Sequence, residues 1–103
     1  MPMPSPAIWT KNYPQGVSPE INPQVYQNVM DVFDESVRKF RNKSAFVNMG
    51  VSLSFSDLDR LSGQFASFLQ NELQLKKGDR IAIQMPNVLQ FPIVAFGAFR
   101  AGL

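Results

Sequence analysis

A chain of 103 residues with a formal charge of +2 has room for one small domain, and a chain of this size buries only about 60–65% of its unfolded surface. Hydrophobic residues make up 45% and charged residues 17%, which fits a globular protein and gives no general pull toward nucleic acid or anionic membrane. With no cysteine and no histidine, these residues exclude a disulfide framework, thiol catalysis, histidine-based triads and His/Cys zinc sites, and they point to a cytosolic protein.

Residues 1–23 hold six of the eight prolines, with Trp9 and Tyr13 as the only large aromatics there. Proline removes a backbone donor and favours extended conformations, so this part reads as a proline-rich arm and not as a packed element. It has no charged start followed by an apolar run, which argues against a secretory signal. Trp9 and Tyr13 either pin the arm to the body or a partner chain, or do nothing specific. The remainder, 24–103, reads as an incomplete amino-terminal α/β subdomain.

Asn22-Pro23 predicts a helix start, with Asn22 as N-cap and Pro23 at the first helical position. Val25, Val29, Phe33, Val37 and Phe40 follow at helical spacing, with Tyr26 and Met30 widening the stripe. Asp31, Asp34 and Glu35 lie on the other side and read as a solvated face, because no second set of ligands accompanies them. The helix should end near Arg41-Asn42. There Arg38, Lys39, Arg41 and Lys43 complement the negative end of the helix dipole, which is a simpler reading than a nucleic-acid patch.

Ala45-Phe46-Val47-Asn48-Met49 and Ser52-Leu53-Ser54-Phe55, joined about Gly50-Val51, predict a β-hairpin. Ser56 and Asp59 then read as the capping box of a second helix. This helix is expected to bury Leu58, Leu61, Phe65, Phe68, Leu69 and Leu73, with Gly63 kept for close packing against a neighbour, since it costs about 1 kcal/mol relative to alanine. Leu75-Lys76-Lys77-Gly78 turns the chain.

The run Arg80-Ile81-Ala82-Ile83-Gln84-Met85 is apolar at most positions and bounded by Gly78-Asp79 and Pro86-Asn87, which predicts a strand buried on both faces. Residues 88–101 are apolar on almost every side, broken by Gln90, Pro92, Gly97 and Arg100. They fall short of the ~20 residues that cross a bilayer and read as a core helix. That helix starts either at Asn87, with Pro92 inside it, or near Gln90-Phe91, with Pro92 in the first turn. Gly102 is a natural terminator. Strand, turn and helix open a βαβ unit whose next parallel strand is missing, so the expectation is a truncated piece whose chemistry lies elsewhere. An open strand edge, with Ile93, Phe96 and Phe99 uncovered, predicts self-association through residues 80–101.

Phosphate cradles need converging glycine amides, and the six glycines are scattered singly. Lys76-Lys77-Gly78-Asp79 reads as a solvated turn. Ser54, Ser56 and Ser62 have no nearby base, and the Phe-rich last helix reads as core before it reads as an acyl pocket. The residues therefore offer no catalytic, cofactor-binding or metal-binding side chain.

Leu53-Ser54-Phe55-Ser56-Asp57-Leu58 resembles the first core motif, L-T/S-Y-x-E-L, of the adenylate-forming enzymes, with Phe and Asp in place of the commoner Tyr and Glu. Lys77-Gly78-Asp79-Arg80-Ile81-Ala82-Ile83, Pro86-Asn87 and Phe99-Arg100-Ala101-Gly102 follow at the spacing of that superfamily. The last four resemble the start of its second core motif. Trp9 with Tyr13-Pro14, Glu20-Ile21-Asn22-Pro23, Tyr26, Ala45-Phe46-Val47-Asn48-Met49-Gly50, Met85-Pro86-Asn87 and Leu89-Gln90 are similar to bacterial long-chain fatty-acid–CoA ligases.

The resemblance implies the fold of a truncated amino-terminal piece of the adenylate-forming enzymes (helix, β-hairpin, helix, strand, helix). For the parent it implies ATP, Mg²⁺ and CoA, a long-chain fatty acid as substrate, no nucleic acid, and a cytoplasmic place that admits peripheral contact with the inner face of the membrane. It puts the phosphate loop, the adenine and ribose contacts and the catalytic lysine beyond position 103, so the fragment itself is expected to be inactive. The alternatives are a non-catalytic α/β interaction module and an adenylating enzyme for a different carboxylic acid.

Overall fold

The computed structural model describes residues 7–103, and its first helix, α1 (Val29–Phe40), begins at Asn28 and not at Asn22. Asn28 Oδ1 accepts from the backbone N–H of Asp31 at 2.9 Å, and Asp31 Oδ2 accepts from the N–H of Gln27 at 3.0 Å. Asn22 instead closes a local turn, its Oδ1 accepting from the Gln24 N–H at 3.0 Å. Asparagine serves turns and caps alike, but only Asn28 has an acid three positions on to satisfy a second orphan amide. The later start changes the apolar stripe. Phe33 and Val37 are buried with Met30 packed beside them, while Val25, Tyr26, Val29 and Phe40 are exposed.

Ahead of α1, Ile8–Asn12 form a short 3₁₀ helix with no buried residue, and every residue from 11 to 29 is exposed. Trp9 is 61% exposed and belongs to neither core cluster of the described residues. The first six residues of the proline-rich arm lie outside the described residues. The radius of gyration, 18.4 Å, exceeds the about 13 Å of a compact 100-residue chain, as an arm lying off a small body requires.

The hairpin forms as expected, with β1 (Ser44–Asn48) antiparallel to β2 (Val51–Ser54). Its loop is Met49-Gly50, with φ of 50° and 76°. A two-residue loop with both φ values positive matches the twist of the flanking strands, and glycine at the second position makes it accessible. Helix α2 (Phe55–Ser67) then starts directly off β2. Ser54, not Ser56, is its N-cap. Ser54 Oγ accepts from the Asp57 N–H at 3.0 Å, and Asp57 Oδ2 accepts from the Ser54 N–H at 3.4 Å.

The sequence carries two overlapping Ser-x-x-Asp pairs, and the loop after α1 selects the first. The carbonyls of Lys43 and Arg41 accept from the Phe55 and Ser56 N–H groups at 3.1 and 3.0 Å, satisfying first-turn amides that have no partner inside the helix. The helix widens into a single π turn over Phe68–Glu72, and Gln74, with φ of 54°, ends it.

The buried face of α2 is Leu58, Ser62, Ala66 and, in the π turn, Leu69. Leu61 and Phe65 are half-buried, and Phe68 and Leu73 are exposed, contrary to expectation. Small residues at 62 and 66 let the third helix, α3 (Gln90–Arg100), come so close that the large side chains are pushed to the flanks. The closest approach is at Gly97. A Cβ there would lie 2.8 Å from Phe65 Cδ1 and 2.9 Å from the Ser62 carbonyl oxygen. At Gly63 an added Cβ would meet only the Arg100 guanidinium, at 3.5 Å, which is ordinary contact.

Helix α3 places Pro92 in its first turn, where the missing N–H costs little. It ends in a Schellman motif, as a C-terminal glycine predicts. The Leu103 N–H reaches the Ala98 carbonyl at 3.0 Å and the Gly102 N–H reaches Phe99 at 3.0 Å, with Gly102 at φ 88°. Ile93 and Phe96 pack into the cluster around Phe33 and Leu58, and the Phe33 and Phe96 ring centroids are 4.6 Å apart. The exposed large apolar members of α3 are Phe91 and Phe99, so the expected uncovered patch is real at Phe99 and wrong at Ile93 and Phe96.

Residues 80–85 form no strand; the sheet has two strands, β1 and β2, among the described residues. No backbone hydrogen bond there involves residues 80–85. Strand structure is a property of a pair, and this segment has no partner. Ile81 and Ile83 are half-buried while Ala82 and Gln84 are exposed, a period of two with one covered face instead of two.

These contacts separate two glycines that propensity treats alike. Gly97→Ala should destabilise the fold by about 1–3 kcal/mol through overpacking. Gly63→Ala should be neutral or stabilising, by up to about 1 kcal/mol, from helix propensity. Chemical unfolding of both variants checks this; equal losses would contradict the packing described.

Candidate functional site

The densest polar constellation is built on Arg100, the lone charged side chain of α3. Its Nη1 donates to the Asp59 carbonyl at 2.8 Å, to Asp59 Oδ1 at 2.9 Å and to Ser62 Oγ at 3.1 Å. Its guanidinium carbon also lies 5.9 Å from the Phe33 ring centroid. Ser62 is fully buried and donates to the Asp59 carbonyl at 3.1 Å. One cation thus clamps the last turn of α3 to the first half of α2 and reaches toward α1. A sequence reading that looks for acid–base pairs misses it. The available signal is an arginine stranded in an otherwise apolar helix, which must find acceptors.

The Leu53–Leu58 motif turns out to be a strand-to-helix joint. Leu53 and Leu58 are both in the first core cluster, and Ser54 and Asp57 form the capping box between them. The second motif supplies Arg100 and the Gly102 cap. The turn before residue 80 joins the same end of α3: the Gly78 N–H donates to the Gly102 carbonyl at 2.9 Å, and the Lys76 N–H donates to Asp79 Oδ2 at 2.7 Å. The three motif segments therefore converge on α2 and α3 and hold each other in place.

The residues weighed earlier as chemistry are dispersed. Asp31 caps α1. Glu35 receives the Lys39 ammonium, and Lys39 first and the nearby Tyr26 second hold its carboxyl below the usual range. The Tyr26 phenol is raised above its ordinary value, first by its interaction with Glu35 and then by partial desolvation. Asp34 is exposed. At the end of α1, Lys43 Nζ sits 5.4 Å from the Phe40 ring centroid, and Arg41 donates to Ser56 Oγ at 3.4 Å. Among the described residues, no group of three or more acidic side chains could hold a metal ion.

What remains are open apolar grooves. One of about 210 Å³ lies between α1, β1, α2 and α3, with Phe33, Leu58 and Phe96 among its lining residues. Another, of about 420 Å³, runs along α3 beside Ile81 and Ile83. Both are lined mainly by apolar side chains; the Ser36 hydroxyl on the first donates to the Val32 carbonyl, and the Asp79 carboxylate on the second accepts from the Lys76 N–H. No helix among the described residues is long and apolar enough to cross a membrane.

Comparison with known proteins places this arrangement. The AMP-binding enzyme family profile matches residues 33–103. The chain is 48% identical over 96 residues to a long-chain-fatty-acid–CoA ligase of Escherichia coli O6:H1, covering 93% of this chain and 17% of that protein. It is 46% identical, with the same coverage, to the ligase of that name from Haemophilus influenzae. A ligase of the same name from Bacillus subtilis is 34% identical over 101 residues, covering 97% of this chain and 18% of that protein. No solved structure matches significantly. The chain thus spans under a fifth of the length of these relatives.

The capping box carries a pH dependence. The Ser54 hydroxyl, then the Ser54 backbone N–H, lower the Asp57 pKa below its ordinary value. A carboxyl depressed in the folded state contributes stability that is complete above the unfolded value, near 3.9, and is lost as pH falls through the folded one. Asp57→Asn should flatten the acid limb of stability below about pH 4 and leave neutral-pH cooperativity intact. Urea melts from pH 2 to 7 measure it, and an unchanged acid limb would show that Asp57 is not the group responsible.

Proposed function

Because the chain belongs to the AMP-binding enzyme family, we propose that it is the amino-terminal part of a long-chain fatty-acid–CoA ligase. The observation that carries this reading is 48% identity over 96 residues, a stretch too long to leave out the whole arm. In the whole protein, the fatty carboxylate attacks the α-phosphorus of ATP, giving an acyl-adenylate and pyrophosphate. The CoA thiol then attacks the acyl carbon and displaces AMP. Mg²⁺, when bound, neutralises the phosphate charge.

The residues of this chain do not fit a site for those groups. The positive-φ glycines 16, 50, 78 and 102 lie singly, without the converging amides that hold a phosphate, and the acids are dispersed over separate helices. Their part is to build the α2–α3 framework on which the rest of the protein is laid. The setting we propose is cytoplasmic, with peripheral contact at the inner face of the membrane where fatty acids partition. Copies of this chain by itself associate, since its apolar grooves stay open.

Calorimetry with ATP, Mg²⁺ and oleate, followed by a pyrophosphate-release assay, tests the reading on two proteins. This chain alone should neither bind ATP nor release pyrophosphate. The product of the reading frame continued past Leu103 should release it in an oleate-dependent way and form oleoyl-CoA. Saturable micromolar ATP binding by the chain alone, or a longer product indifferent to oleate, would overturn it.

A further inference from the structure

The turn between β1 and β2 holds a methionine where the backbone favours other residues. Met49 sits at φ 50°, in the left-handed region that asparagine and aspartate reach with least strain. Its side chain is 94% exposed, and Val47 and Val51 beside it are 66% and 57% exposed. Asn-Gly would shape the same turn, so the hairpin itself gives no reason for a methionine here. The tip is an apolar projection that does not serve its own fold.

The base of the hairpin is cationic. Residues 36–56 carry four cations and no acid. These four, Arg38, Lys39, Arg41 and Lys43, gather where α1 ends and β1 begins. Lys39 is paired with Glu35, while Arg38, Arg41 and Lys43 form no ion pair among the described residues. Lys43 also overlies the ring of Phe40, which is itself partly exposed. Arginine and lysine are almost never buried without a partner, so a cluster of this kind belongs at a surface in a longer protein as well.

We propose that the tip and base of this hairpin are a contact for an anionic lipid surface. Val47, Met49 and Val51 enter the headgroup layer, and Arg38, Arg41 and Lys43 meet the lipid phosphates. The proposal rests on the peripheral membrane setting given above with the ligase reading, and it names the surface that makes the contact. Five residues of strand span about 17 Å. A tip buried ~5–10 Å, as interfacial elements are, leaves the base about a Debye length (~8–10 Å) from the phosphates. The long side chains of arginine and lysine close that gap. A nucleic acid would answer the cations and leave the apolar tip in water, so the lipid surface accounts for both halves of the patch.

Co-sedimentation with vesicles tests this, using phosphatidylcholine alone and an equimolar mixture with phosphatidylglycerol. The chain should bind the mixed vesicles, bind the neutral ones at least about tenfold less, and release as salt is raised. Arg38→Gln and Lys43→Gln should each weaken binding to mixed vesicles by about fivefold. Met49→Asn should weaken it by at least about fivefold while leaving the melting temperature unchanged or raised, because asparagine suits the turn. A residue needed only for the fold would move stability and binding down together. The product of the reading frame continued past Leu103 should show the same losses, with oleate-dependent pyrophosphate release in the absence of vesicles unaffected by Met49→Asn.

Equal binding to neutral and mixed vesicles, or none to either, would overturn the proposal. So would mixed-vesicle binding that falls with the cation variants and not with Met49→Asn, the result expected of a general polyanion face. Binding by this chain but not by the longer product would show that later segments cover the tip, which also overturns it. In each of these cases oleate-dependent release by the longer product keeps the ligase reading. A longer product that binds through Met49 and is indifferent to oleate overturns that reading and keeps this surface.

Discussion

The approach of α2 to α3 at Ser62 and Gly97 is the contact on which the rest of this body depends. The Gly97 backbone lies so close to the Ser62 carbonyl and the Phe65 ring that even a methyl group would intrude. That proximity places Ala66, Leu69, Ala98 and Ala101 in one cluster, and it brings Arg100 within reach of the Asp59 carbonyl. Close packing of small residues gains dispersion energy atom by atom and leaves no void to be felt. The Arg100 clamp adds direction more than energy. It is about a third exposed at both ends, where an ion pair is worth little, but its shared acceptors fix the rotation of one helix on the other.

Much of this was legible in the residues, and what was not has identifiable causes. The hairpin, the end of α1, the glycine terminator and the order of elements follow from local chemistry that tertiary packing left undisturbed. Helix starts were ambiguous because Asn22 and Asn28, and Ser54 and Ser56, offer equivalent side chains. The deciding partners were Asp31 for one and the carbonyls of Arg41 and Lys43 for the other. The buried face of α2 was misjudged because size was taken as the mark of a core position. Here the most buried polar residue is Ser62, while Phe68 faces out. A stripe of small residues marks a close helix contact as surely as a stripe of large ones marks a core.

The family motifs take on physical meaning in the same terms. Leu53-Ser54-Phe55-Ser56-Asp57-Leu58 combines two core anchors with a reciprocal cap, which turns a strand into a helix with no loop. Lys77-Gly78 and Phe99-Arg100-Ala101-Gly102 meet through the Gly78–Gly102 hydrogen bond at the end of α3. These are joints that hold the α2–α3 framework together.

The segment 80–85 is the opposite case, a sequence written for a strand and present without one. Its side chains already alternate against α3, so only the ladder is lacking. Hydrogen exchange followed residue by residue in dilute, monomeric solution tests this contrast most directly. The account predicts that amides of α2 and α3 exchange only through global unfolding, while those of residues 81–85 exchange within about tenfold of free-peptide rates. Protection at 81–85 equal to that of α3 in the monomer would contradict it.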